Sequence, residues 1–417
     1  MDIILLVLGI ICLSRNKYDW VIFLILLLAS TYMQMRLPVE FTRPNFPFPH
    51  QVLDTALMLY LCLYLKVIQK YNIHKIPIVT NSTIILFVYY FLAAFIDKVR
   101  GVAMGDIILY LRGYLLFTFV FIAYFFSQQT IISVLKKTYY ATLIICGIIL
   151  FQRFSGLEFI PFEEIPGRGV KAPIFAIFCS FLALINAFKI KRKFQILHIV
   201  LFLLPIVLNS KMTYLMSVVF LYVLYVNVRK GFNVFRGIAY VSLAMLAFSI
   251  LLFFFPSLSV RLNEFQTNMN QLGTVEYGDN FSYRIAHAYE RLLYVINGGF
   301  YEWFYGVGFI NESHYSKNTF MVGLTDDYGN VTQLDTGDIA WSLIFVRYGI
   351  IGTCIFISFI VSIIIRLMKI PYWGIMLSCY LLVALLFQSL GNAVLVDPFF
   401  YILPILFTGC KILKNKV

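Results

Sequence analysis

Long apolar runs, separated by short polar segments, recur from one end of the chain to the other. A helix needs about 20 consecutive apolar residues to cross a hydrocarbon layer. Runs at 2–14, 19–34, 51–67, 76–96, 107–127, 138–155, 172–188, 195–209, 212–228, 237–255, 339–365, 371–390 and 397–410 are candidates. They predict an all-α polytopic transmembrane protein of about 12–14 membrane-spanning helices. Residues 1–255 form a transmembrane bundle of about ten spans, 256–338 a large polar loop with short helices, and 339–417 the C-terminal transmembrane helices. The run beginning at Asp2 has no basic n-region and no small-residue cleavage site, so it is expected to be the first span.

Charge fixes the expected orientation. Basic residues gather at Arg15/Lys17, Lys66/Lys70/Lys75, Lys136/Lys137, Lys189/Lys191/Arg192/Lys193, Arg229/Lys230/Arg236, Arg366/Lys369 and Lys411/Lys414/Lys416. Placing every cluster on the cytoplasmic side gives an alternation of spans without conflict, as the positive-inside rule requires. The N-terminus is then outside, and the outer segments are 35–50, 97–106, 156–171, 210–211, 256–338 and 391–396. The net charge of +13 thus follows from loop asymmetry, which argues against nucleic-acid binding. Composition agrees: 61% of residues are hydrophobic and 13% charged, with a mean hydropathy of +0.85. Soluble domains carry about 25% charged residues. The seven cysteines lie inside apolar runs without a CxxC pair and read as small buried hydrophobes.

Candidate chemistry collects on the outer side. The loop 256–338 holds ten acids and only four cations, Arg261, Arg284, Arg291 and Lys317. Within it, FSYRIAHAYERLLYVI (281–296) has apolar residues at helical spacing, and Arg284, His287 and Arg291 fall on one face. Two guanidiniums so placed suit a phosphate or carboxylate, or else pair with loop acids such as Glu290. Arg168, between glycines in PGRGVKAP (166–173), and Lys211 in LNSKMT (208–213) are further outer cations, readable also as headgroup anchors. Arg112 and Arg347 lie inside spans in the outer half, where a charge calls for a partner or cavity unless it snorkels to the surface. Asp54 is a candidate counter-ion for Arg112. Asp335 and Asp338 close the loop and can act as helix cap or as general base. His287 and His314 are the loop's two histidines, too few for a three-histidine metal site. HExxH, a P-loop and a GxSxG elbow do not occur.

About a dozen spans with one large outer loop near the C-terminal end resemble the O-antigen polymerase/O-antigen ligase superfamily of bacterial envelope enzymes. The local matches are GRG (167–169), SK (210–211), SYR (282–284), YGVGF (305–309) and DTGD…YGIIG (335–352). Each is weak, and their order and topological placement make the likeness. Lys211 departs from the arginine commoner at its position. Asp338 stands where ligases of the family carry a catalytic histidine, which favours polymerase over ligase; His314 is an offset alternative.

The resemblance implies a metal-independent glycosyl transfer without a cofactor. The donor is an oligosaccharide on undecaprenyl pyrophosphate, and the acceptor is a hydroxyl of another lipid-linked repeat unit. It implies action at the outer face of the cytoplasmic (inner) membrane, with a chain-length regulator and a flippase as partners. Arg168, Lys211, Arg284, Arg291 and Arg112 are the expected pyrophosphate-binding cations, because a polyanionic leaving group needs positive charge at the breaking bond. Asp338, Asp335, His287 and His314 are the expected proton acceptors. A ligase is the alternative within the family. A lipid-linked sugar flippase or secondary transporter is the alternative outside it, and that reading calls for inverted repeats, which the sequence does not show.

Overall fold

A computed structural model of the chain describes residues 2–34, 51–70, 77–157, 160, 164–165, 169–170, 172–173, 175–208, 212–230, 280–310, 319–324, 328–336, 339–390 and 393–410. These residues are almost all helical. Among the rest is a two-residue antiparallel strand pair, Glu164–Ile165 with Gly169–Val170.

Five helical stretches are long and apolar enough to cross a membrane: Val52–Lys70, Ile78–Val99, Met104–Phe125, Gln128–Ser155 and Ala340–Met368. Shorter apolar helices cover Asp2–Ser14, Tyr18–Ala29, Phe175–Leu184, Thr213–Arg229, Trp373–Leu386 and Pro398–Thr408. The expected run 237–255 lies outside the described residues, as does the loop up to residue 279. The surface of the spans is the inverse of a soluble protein's. Phe91, Phe95 and Val99 are exposed along one side of Ile78–Val99, while Leu86, Tyr89, Tyr90 and Ala93 of the same helix are buried. That pattern suits a helix with lipid on one face and protein on the other.

Two spans depart from the periodicity reading. The helix expected from residue 138 begins at Gln128, so Lys136 and Lys137 sit on its first turns rather than in a loop. Ser127 caps it, its Oγ accepting from the Thr130 N–H at 3.1 Å, and Gly156 ends it in the left-handed region at φ 69°. Lys137 pairs with Asp19 of the Tyr18–Ala29 helix. The stretch Met104–Phe125 is not one regular helix. Its α-geometry ends at Leu111, and residues Arg112–Thr118 wind as a 3₁₀ segment, which often marks local strain or function.

The span Ala340–Met368 is kinked. Gly349 breaks the helical dihedrals at φ 61°, ψ −167°. The short helix Phe300–Tyr305 packs into this kink: a Cβ at Gly349 would lie 2.7 Å from the carbonyl oxygens of Glu302 and Trp303. Gly306, at φ 61°, faces it so closely that a Cβ there would overlap the carbonyl of Val346. Only glycine satisfies both the positive φ and the contact. This double-glycine joint docks the segment 300–306 onto the kinked span.

Candidate functional site

The helix Asn280–Asn297 carries the three residues that spacing placed on one face. Two of them turn inward. Arg291 is fully buried, and its guanidinium donates from Nε to Leu334 O (3.2 Å), from Nη1 to Glu290 Oε2 (2.7 Å) and from Nη2 to Gln333 O (2.9 Å). It also lies 4.2 Å from the centroid of the Phe320 ring. Glu290 in turn accepts the backbone N–H groups of Met321 (2.5 Å) and Val322 (3.0 Å). Arg291 is thus committed to holding 320–334 against the helix, and its buried setting differs from the open anion fork expected from spacing.

His287 is also fully buried, and its Nδ1 shares a 2.8 Å hydrogen bond with Ser342 Oγ at the head of the kinked span. Its Nε2 has no hydrogen-bond partner among the described residues. Burial, reinforced by the Arg291 charge, pushes the imidazole down to about 3, so the ring is neutral at physiological pH. The Ser342 bond ties the helix to the head of the kinked span.

Arg284 reaches a cavity. With Ile285, Ala288, Tyr289, Leu292, Ile339, Trp341 and Phe345 it lines a groove of about 260 Å³ between the loop helix and the head of the kinked span. The walls are apolar, so the groove suits a hydrocarbon chain, with a guanidinium to meet an anion joined to it.

Arg347 organises the junction beneath. It is 1% exposed and does not snorkel. Nε donates to Asp335 Oδ2 (2.6 Å), Nη1 to the carbonyls of Gly308 (3.2 Å) and Ile310, and Nη2 to Tyr110 Oη (2.7 Å). The Tyr110 ring lies 4.4 Å below it. Asp97, fully buried at the end of Ile78–Val99, accepts the Phe309 N–H at 2.7 Å. Asp97 fills the space that a Cβ at Gly308 would need, which explains the second glycine of YGVGF. One segment, 305–310, is therefore held from both sides by buried ionisable groups. Sequence reading missed Asp97 altogether; its position at the edge of an apolar run was the available signal. Asp335, expected as base or cap, pairs with Arg347.

Arg112 finds the counter-ion proposed for it. Its Nη1 lies 2.7 Å from Asp54 Oδ1, and it also bonds Gln51. Arg168, Lys211, His314 and Asp338 lie outside the described residues. Among the described residues no group of three or more His, Cys, Asp or Glu is arranged to hold a metal ion. No family model, no curated protein and no solved structure matches the chain.

Proposed function

We propose that the chain is a membrane glycosyltransferase that polymerises oligosaccharide repeat units carried on undecaprenyl pyrophosphate, building a surface polysaccharide at the outer face of the cytoplasmic membrane. One observation carries the reading: an apolar groove at the junction of loop and spans, with Arg284 on its wall. A polyprenyl pyrophosphate has the matching chemistry, a hydrocarbon tail joined to a polyanion. The order of the sequence motifs supplies the rest of the support.

In this reaction the acceptor hydroxyl oxygen attacks the anomeric carbon of the donor. The bond from that carbon to the phosphate oxygen breaks, and its electron pair leaves with the pyrophosphate. Arg284 stabilises the departing anion, with Arg168 and Lys211 as further candidates on the outer side. The hydroxyl proton passes to a carboxylate at the loop's end; Asp338 and Asp335 are the candidates. Arg291, His287 and Arg347 act as positioning residues, fixing the loop helix and the 305–310 segment around the groove.

The test is reconstitution. The purified chain in proteoliposomes, supplied with lipid-linked repeat units, should yield a ladder of longer lipid-linked glycans without added nucleotide sugar. Unchanged substrate, under conditions where the chain is folded, would overturn the assignment.

A further inference from the structure

The polar loop has a tip that is not polar. The helix Phe300–Tyr305 leaves Phe300 71%, Tyr301 54% and Trp303 44% exposed. Its carboxylate-bearing residue, Glu302, lies against Gly298 and Gly299, and the Trp303 Nε1–H is satisfied by Ile296 O at 3.2 Å. The outward side is therefore aromatic, with its indole donor satisfied internally.

The depth of this tip follows from what it touches. The kinked span has 29 residues. At ~1.5 Å per residue it is about 43 Å long, well beyond the ~30 Å hydrocarbon thickness. Arg366 in its last turn marks one boundary. Counting ~30 Å back from there puts the other boundary near Val346. Gly349, into which the tip helix packs, lies about 5 Å inside that boundary. The Ile78–Val99 span touches the same short helix, at a level below its own end: Tyr89 Oη donates to Phe304 O at 3.3 Å, and the two rings are 6.0 Å apart. Tyr89 is ten residues, about 15 Å, short of that helix's end. On the face turned away from Tyr89, the same span exposes Phe91 71%, Phe95 68% and Val99 72%, the pattern of a helix with lipid on one side. Arg100, at the span's end, is 41% exposed at its side chain.

We infer that Phe300–Tyr305 is a re-entrant element that inserts into the leaflet on the loop's side, with Phe300, Tyr301 and Trp303 in contact with lipid acyl chains just below the headgroups. Amphipathic elements of this kind bury their apolar face about 5–10 Å into that boundary. The large loop is then anchored at two depths, by the buried Gly306–Gly349 joint and by lipid. This holds whatever the chain catalyses.

The test keeps the full chain. With Trp20, Trp341 and Trp373 replaced by Phe, Trp303 is the remaining tryptophan of the four. In nanodiscs, lipids brominated near the top of the acyl chain should quench its emission, and the maximum should be blue-shifted relative to the denatured chain. A second measurement leaves the tryptophans intact. In Phe300→Cys a charged, membrane-impermeant maleimide should fail to label the new thiol, whereas in Tyr328→Cys, at a loop position 87% exposed, it should label fully. Emission insensitive to bromination, or equal labelling in the two variants, would overturn the inference. Protection from label without quenching would mean that another protein surface, such as a second copy, covers the tip, and would equally overturn it.

Discussion

Replacing Arg347 with Met removes a buried cation that four groups depend on, and the cost can be worked from the contacts. The side chain is 1% exposed and that of its ion-pair partner Asp335 15%. Breaking a fully buried pair by deleting one partner costs about 3–5 kcal/mol, because the other charge is left uncompensated. Asp335 retains some water, so the lower end, about 3 kcal/mol, is expected. The loss should be local, because Arg347 holds the carbonyls of Gly308 and Ile310. The reporters are the amides of the same segment: Val307 N–H, bonded to Val346 O at 2.6 Å, and Phe309 N–H, bonded to Asp97 at 2.7 Å. At ~1.4 kcal/mol per tenfold, the opening equilibrium of 305–310 should rise roughly 100-fold. Hydrogen–deuterium exchange by mass spectrometry, on the chain in nanodiscs, reads that change directly. Arg347→Met combined with Asp335→Asn should cost less than the two single changes together, by about 2 kcal/mol. Exchange that rises less than about threefold in Arg347→Met would refute the reasoning, because the pair would then be worth no more than a surface ion pair.

Arg284→Ala should abolish glycan polymerisation and lower thermal stability less than Arg291→Ala does, since Arg284 lines the groove whereas Arg291 is fully buried. Arg291→Ala should lower stability by about 3 kcal/mol or more through its buried ion pair and three donors, and lose activity as a consequence; stability equal in the two variants would contradict the division of roles. His287 is held near 3 in the folded chain, below the ~6.5 of an unfolded histidine, so unfolding takes up a proton between those values. Stability should be complete above about pH 6.5 and fall as pH drops toward 3, and His287→Asn should flatten that part of the melting-temperature profile. Gly306→Ala and Gly349→Ala should each reduce the folded yield severely, because a Cβ strikes backbone; Gly105→Ala, with nothing within 4 Å, should be tolerated.

Which parts were legible in the sequence follows from the range of the interactions. Helix Asn280–Asn297 was readable because its apolar spacing and its Arg284, His287 and Arg291 are local features. The Asp54–Arg112 pair was readable because a charge inside an apolar run demands a counter-charge. Periodicity also located the kinked span to within one residue at its start and three at its end. It did not show which way each charged side chain would turn. Arg291 and Arg284 share a face by spacing, yet one is sealed by Gln333 and Leu334 while the other lines a groove. That difference is set by chain segments more than 40 residues away. The same holds for Asp97, whose hydrogen bond to Phe309 spans 212 residues. The kink at Gly349 needed knowledge of the Glu302 and Trp303 carbonyls before a glycine in an apolar run could mean anything. An 18-residue hydropathy window likewise treats 298–310 as loop, because the segment is too short to register and its depth is set by the spans it packs on.

The proposed polymerase activity is tested most directly by mass analysis of lipid-linked glycans in cells lacking this chain, alongside cells complemented with the parent or with Arg284→Ala. Single repeat units on the prenyl pyrophosphate should accumulate in the deletion and in the Arg284→Ala strain, and longer glycans should return only with the parent. Accumulation of polymer still attached to its lipid carrier, or a lipid-linked pool identical in all three strains, would contradict it.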